Sequence, residues 1–565
     1  MLLPSGLCSL EGATGLRRLL FTQSLVEAIY SFENWGKRFF QIHASFKFMT
    51  LVFEKLLSRA QSFPAAFMLR DEGFLSASEQ DRRSRSVKIT SALIHLTSPS
   101  FLSIVELRDD SERELVERIY RSVPPLAQRL DDPSLWNVEF HRELDMTDDG
   151  WRFRRREWLI ERGCQQDGCS FVAPSSEWFE LNSGEFISGI RYIVPEGTKY
   201  RVASTKPSDG DKKRGTRGQQ VESISGFLLR SHAEEESELP VVPSARYVPL
   251  YEGRLVHQFD HAAKAYESGE GRGAKWADLE TSSKHLVPHY FLISESRYPL
   301  RAAFCRVTGQ TNERSMLASL LPDGMPSGHS LAAAFVDRDP EAAHCVLLTL
   351  LNSFVVDFFL RQRISSNMPI STVDTCPVIR PSLFSPLSVR LIDMAARLSS
   401  ITPEIQLAEP ALDLVERAGL RAQIDAIVAG LYDLSPTEFA YILTTFPLLD
   451  RDQPPLPDDF FVRWNKQGRP KLEPRSYVTR DTALLAYFRR RGIAPPEDLG
   501  VWYRDEVKVN MIDDEFCPCR MGPIRNLEQR VTEYIRLGAI AYIPSKAKKW
   551  DPNGPYQPRT QEVIA

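Results

Sequence analysis

The sequence predicts a multidomain α/β and α+β protein, and three observations lead there. The chain is 565 residues long, more than one hydrophobic core can serve, and 42% hydrophobic with 25% charged residues is ordinary for globular domains. Near the start, LVEAIYSFEN and FKFMTLVFEK are apolar enough for central strands, whereas the second half carries long helical periodicities with capping signals. Between them, Ala342–Pro381 contains a stretch so apolar that it must lie inside the protein.

Met1–Lys55 opens without a polar lead-in and places a short helix, GLRRLLFTQ, before the two strands. Two or three strands do not make a stable sheet alone, so this segment is expected to complete a larger sheet or to dock on a partner. Asp110–Tyr120 reads as an amphipathic helix with acids in its first turn, where the helix dipole favours them. Trp151–Trp158 (WRFRRREW) is the densest basic and aromatic run. Arg154 and Arg155 within it suit a phosphate-contacting surface, or a strand with solvated arginines. Lys206–Arg217 is rich in Gly, Lys and Arg and reads as a basic loop, followed by an acidic run at Glu234–Glu238.

Tyr247–Gly253 is expected to be strand and turn. In RLVHQFDH, alternation puts Arg254 and Gln258 on one face and His257 on the other. His257 and Asp260 lack a third ligand at a telling spacing, so a structural histidine is the expected role. Arg and Gln read guanine and adenine edges bidentately, which makes Arg254 and Gln258 candidates for DNA contact. Arg301, Arg306, Asn312 and Arg314 join them from the polar cluster before MLASLL.

In the apolar stretch, Thr349, Ser353, Asp357 and Arg361 recur at i, i+4 and form one polar stripe on an otherwise hydrophobic helix. The stripe is expected to face water or a polar partner, with Asp357 and Arg361 paired along it. The helix cannot pass Pro369, and the β-branched run Ile370–Ile379 reads as a strand. Arg361, Arg363 and Asn367 would then form a basic edge, or simply cap the helix. Leu412–Leu431 is a further helix. Ser435-Pro-Thr-Glu438 is a capping box with Pro at the first helical position, and TRDTALLAYFRRRG and NLEQRVTEYIRLG are helices ended by Gly492 and Gly538. AIAYIP reads as a closing strand.

The formal net charge of −4 gives no global attraction to nucleic acid, so any such site must be local. Eight scattered cysteines suit a reducing cytoplasm. Cys164 with Cys169 and Cys517 with Cys519 lack the spacer that makes zinc signals specific. Asn352, Ser353 and Asp357 interrupt the apolar stretch and argue against a membrane span.

Seven segments in order resemble the large adenine-N6 DNA methylases, including type IIG restriction–modification enzymes and the BREX- and DISARM-type phage-exclusion methylases. They are the Pro4–Lys55 region, LDMTDDGWRF (Leu144–Phe153), YVPLYEGRLVHQFDH (Tyr247–His261), FCRVTGQTNERSMLASLLPDG (Phe304–Gly324), LLNSFVVDFFLRQRI, LSPTEFAYILTTFP and YVTRDTALLAYF. The resemblance implies four regions. Residues 1–130 would be the remnant edge of a Rossmann-like methylase sheet with a connector. Residues 131–385 would be a mixed target-recognition region holding the long buried helix and a basic insertion near 206–217. Residues 386–450 would form a helical bundle, and residues 451–565 a small C-terminal α/β module.

It also implies double-stranded DNA as partner and S-adenosylmethionine as cofactor of the complete enzyme. The family binds that cofactor with a Gly-rich loop and grips the flipped adenine with an Asn/Asp-Pro-Pro-aromatic tetrapeptide. Neither motif occurs here. The Pro-Pro pairs in Ser122–Leu126, Asp452–Pro457 and Ala494–Asp498 lack the flanking residues. No catalytic or cofactor-binding residue is therefore assigned. This chain alone is expected to be inactive, with the catalytic lobe supplied by an upstream subunit or a longer chain. Alternatives are a non-catalytic DNA-binding specificity subunit and an inactive fragment.

Overall fold

In a computed structural model, residues 1–508 and 524–539 are described, apart from 35–36, 38, 43–45, 56–61, 71, 175–185, 188–189, 192–199, 204–227, 232–244, 295–297, 310–311, 365–366, 447, 452, 458 and 465–469. The two N-terminal strands form where the sequence places them, as β2 (Leu25–Glu33) and β3 (Lys47–Glu54). They pair antiparallel with Ile29 opposite Leu51 and Phe32 opposite Phe48. Three further strands complete the sheet: β1 (Leu2–Pro4), β4 (Ser62–Leu69) and β5 (Val87–Thr90), in the order β1-β3-β2-β4-β5. Only β2 and β4 run parallel. Helix α1 (Thr14–Gln23) precedes β2. Its Arg17, almost fully buried, donates to the carbonyls of Leu7, Leu10 and Phe101 and so ties the first turns to a distant loop. Helix α2 (Asp110–Ser122) is N-capped by Asp109 and buries Leu115, Val116, Ile119 and Tyr120.

A second sheet combines β6 (Val138–His141), β7 (Arg301–Cys305), β8 (Ala318–Leu321) and β9 (Leu331–Val336) in the order β8-β7-β9-β6, antiparallel throughout. Its strands are alanine-rich and mostly buried. Small side chains let helix α3 (Pro340–Leu351) lie close across β7, β8 and β9. A third sheet joins Gln165–Asp167, Ser170–Val172, Arg246–Pro249 and Phe291–Ile293. The fold is thus a mixed α/β assembly of several small sheets and many helices.

The apolar stretch is not one helix. It breaks at Asn352–Ser353 into α3 and α4 (Phe354–Arg361), whose axes differ by 62°. Among the described residues no single helix is long and apolar enough to cross a membrane. The bent pair passes that test by length and composition alone and is buried within the protein. The stripe Thr349, Ser353, Asp357 and Arg361 is buried as well, so it faces protein instead of water. Ile370–Ile379 is not a strand: Ile370–Asp374 forms a short helix directly after Pro369. Local β propensity is weak, and here the chain satisfies its backbone by turning.

Helix α5 (Pro386–Ser399), which the sequence did not single out, precedes four C-terminal helices that form as expected. They are α6 (Leu414–Leu431), α7 (Pro436–Thr444), α8 (Val478–Arg491) and α9 (Leu527–Arg536). The Ser435–Glu438 capping box is fully formed, and Gly492 ends α8 in the left-handed region at φ 64°. Arg530 sits fully buried between Asp459 (2.6 Å) and Asp481 (2.8 Å) and ties α9 to α8. One apolar cluster runs from Cys8 through α2, α3, α4, α6 and α8 to Val531. The loop 206–217, the acidic run 234–238, Cys517, Cys519 and all of the expected strand AIAYIP but its first residue, Ala539, lie outside the described residues.

Candidate nucleic-acid interface

Breaking a helix inside a core leaves backbone groups that need partners. Asn352 and its surroundings show how each is met. The Asn352 carbonyl accepts from Gln258 Nε2 (3.1 Å) and Arg314 Nη2 (2.7 Å). Its side-chain amide pairs with both backbone groups of Ala318 in β8 (2.9 and 3.1 Å). Phe354 N–H donates to Asp425 Oδ1 of α6 (2.9 Å), and Ser353 Oγ accepts from Val356 N–H. Asp357 accepts from Arg314 Nε at 2.9 Å and from Ser315 N–H. Arg361, expected to pair with Asp357, donates to the carbonyls of Asn312 and Glu313.

Other predicted contact residues are interior too. Arg301, 0% exposed, grips Glu143 through both carboxylate oxygens (2.5 and 2.6 Å). Arg363 donates to Thr375 Oγ1 and the Thr97 carbonyl. Arg154 donates to the carbonyls of Trp151 and Phe153 and stacks 5.0 Å from the Trp158 ring. Its run is a 3₁₀ turn (Gly150–Arg152) followed by a helix (Arg156–Glu161), not a strand. Arg361 and Arg363 therefore present no basic edge.

Five candidates stay accessible. Arg254 is exposed and donates to the Ala274 carbonyl. Arg306 is half-buried and donates to the His329 carbonyl. Arg155 pairs with Glu270 at 2.7 Å, and Asn312 and Asn367 are exposed. The RLVHQFDH alternation does not form a strand, because Gly253–Leu255 is a 3₁₀ turn and His257 bridges Asp260 through the backbone. The structural histidine is its neighbour His261. Buried between Tyr251 Oη (2.7 Å) and Thr402 Oγ1 (2.8 Å), it is held neutral, and burial lowers its pKa to about 4.

The structure brings Gln258, Asn312 and Arg314 together on one recess of about 600 Å³ between the Arg301–Ser330 region, α6 and the start of α8. Sequence reading passed over Arg421, which lines it from α6. The Arg421 side chain is exposed; Asp425 and Asp450 attract its charge, and Arg314 opposes it. Among the described residues it has no hydrogen bond or ion pair. Lys264, which also lines the recess, is paired with Asp278 at 3.1 Å. Asp425 and Asp450, in the same walls, are pushed up to about 6 by burial. No cluster of His, Cys, Asp and Glu able to hold a metal occurs among the described residues.

No family model and no curated protein matches this chain. Among solved structures, it is similar to the type IIL restriction-modification enzyme MmeI in complex with DNA. The TM-score is 0.32 at 10% sequence identity, over 79% of this chain and 49% of that one. The chain thus spans about half the length of that enzyme.

Proposed function

We propose that the chain is the DNA-recognition part of a site-specific, S-adenosylmethionine-dependent adenine-N6 DNA methyltransferase of a restriction–modification or phage-defence system. Its four-region division follows the resemblance, with β1–β5 as the remnant of the methylase sheet. The chain contains neither the glycine-rich cofactor loop nor the Asn/Asp-Pro-Pro-aromatic tetrapeptide. It therefore supplies no group for S-adenosylmethionine, and methyl transfer belongs to a separate lobe.

The observation that supports the reading is the recess, where amide and cationic side chains from four separate segments converge: His257–Lys264, Asn312–Arg314, Arg421, and Arg451 with Gln453. Arg254 and Arg306 stand accessible in the same predicted set. Arginine on phosphate positions a duplex, and amides on base edges read it. Gel shifts of the full chain on a random duplex library test this. Selective enrichment is expected, with affinity falling steeply as salt rises, because phosphate contacts release counterions. Folded protein that enriches no sequence at low salt refutes the reading. Arg254→Ala and Arg306→Ala separate the roles: loss on all sequences alike marks a phosphate contact, and relaxed choice at one position marks a base contact.

A further inference from the structure

We infer that the recess holds a single nucleotide, with its phosphate on Arg421; this deepens the proposed DNA reading and rests on it for the source of that nucleotide. Three observations lead there. The first is size: about 600 Å³ lies within the range of small-ligand sites, far larger than an inorganic anion needs. The second is charge. Of the Lys and Arg side chains in the walls, Arg314 is neutralised by Asp357, Lys264 by Asp278, and Arg451 is engaged as well, whereas Arg421 has no hydrogen bond or ion pair among the described residues. Arg421 is exposed, so its guanidinium can reach a ligand, and its planar fork matches a phosphate bidentately.

The third observation is the rest of the lining. Leu317, Leu448 and Leu449, each partly exposed, provide an apolar wall for a flat body, while the exposed Asn312 amide offers a donor and an acceptor for its edge. The wall carboxyls Asp425 and Asp450 attract Arg421 without closing an ion pair on it. Asp425 already accepts from Phe354 N–H, and Asp450 accepts from Thr479 N–H and Oγ1. His257, beside Arg421 and Lys264, is kept neutral near pH 7 and adds no charge of its own. An anionic group with a neutral, partly apolar heterocyclic body satisfies all of these at once.

A free 5′-mononucleotide and a nucleotide displaced from a DNA strand share this chemistry. Titration calorimetry on the full chain uses deoxyadenosine monophosphate, deoxyadenosine and inorganic phosphate as probes, and a duplex carrying 2-aminopurine supplies the second source. The mononucleotide gains the apolar wall over inorganic phosphate, and over deoxyadenosine it is expected to bind about ten- to hundredfold more tightly, as one charge-assisted bidentate contact requires. Arg421→Ala should lose that margin at an unchanged melting temperature, and Arg421→Lys should keep part of it. Rising 2-aminopurine emission assigns the nucleotide to DNA, and unchanged emission with mononucleotide binding assigns it to the free pool. Equal affinity for phosphate and mononucleotide, or binding unaltered in Arg421→Ala, overturns the inference. If duplex is shifted but neither probe enters, the recess inference fails and the DNA reading stands. If mononucleotide binds and duplex is never shifted, the reverse holds.

Discussion

Arg314 and Arg421 line the same recess, and the region behind each differs. Behind Arg314 lies the break between α3 and α4, where the guanidinium is divided between the Asp357 carboxylate and the Asn352 carbonyl. Behind Arg421 lies the unbroken middle of helix α6, whose backbone groups bond within the helix, and the guanidinium, though attracted by Asp425, makes no hydrogen bond or ion pair among the described residues. Residue type does not separate a structural arginine from one available to a ligand. The backbone groups left open nearby do.

The largest expected effect tests that contrast directly. Arg314→Ala strands a fully buried Asp357 and should cost about 3–5 kcal/mol of stability, while Arg421→Ala should change it by less than about 0.5 kcal/mol. Urea unfolding midpoints decide it, and equal costs would erase the distinction. Next comes Asn352→Ala, which removes the partner of both backbone groups of Ala318. The expected loss is about 2–4 kcal/mol, with faster amide exchange at Ala318. A near-neutral result would show that β8 does not depend on the helix break.

The smallest effect sharpens the α6 side through pH. Burial raises the Asp425 pKa from 3.8 to about 6, so the folded state holds this proton more tightly than the unfolded chain does. Its contribution to stability is therefore greatest below about pH 4, falls as pH rises through about 6, and stays reduced above. Asp425→Asn keeps an acceptor for Phe354 N–H without the charge. It should gain about 1–3 kcal/mol at pH 7–8, with the gain vanishing near pH 4. Thermal melts across that range supply the check, and a gain independent of pH would point to packing instead.

What could be read beforehand follows from how far each signal reaches along the chain. The α2 helix, the Ser435 box with Pro436, the glycine stop at Gly492 and the strands β2 and β3 rest on neighbouring residues, and each formed where expected. The bend did not announce itself, because its partners stand 34, 71 and 94 positions away, at Ala318, Asp425 and Gln258. Polarity on the stripe was visible, and its direction was not. For the same reason Arg301, Arg314 and Gln258 read as contacts to a partner although Glu143 and Asn352 already hold them. Arg421 was overlooked for the opposite reason. On an amphipathic helix, four residues from both Arg417 and Asp425, it resembles an ordinary surface charge.

The bend also sets an order of events during synthesis. The Phe354 N–H waits for Asp425, 71 residues further on. At about 5–20 residues per second, that wait lasts about 4–14 s after Phe354 is joined to the chain. Over that interval one of the most apolar stretches of the polypeptide lacks the helix that closes it. The emerging chain must be shielded from its neighbours, by the already folded N-terminal strands or by a chaperone, until α6 has left the ribosome.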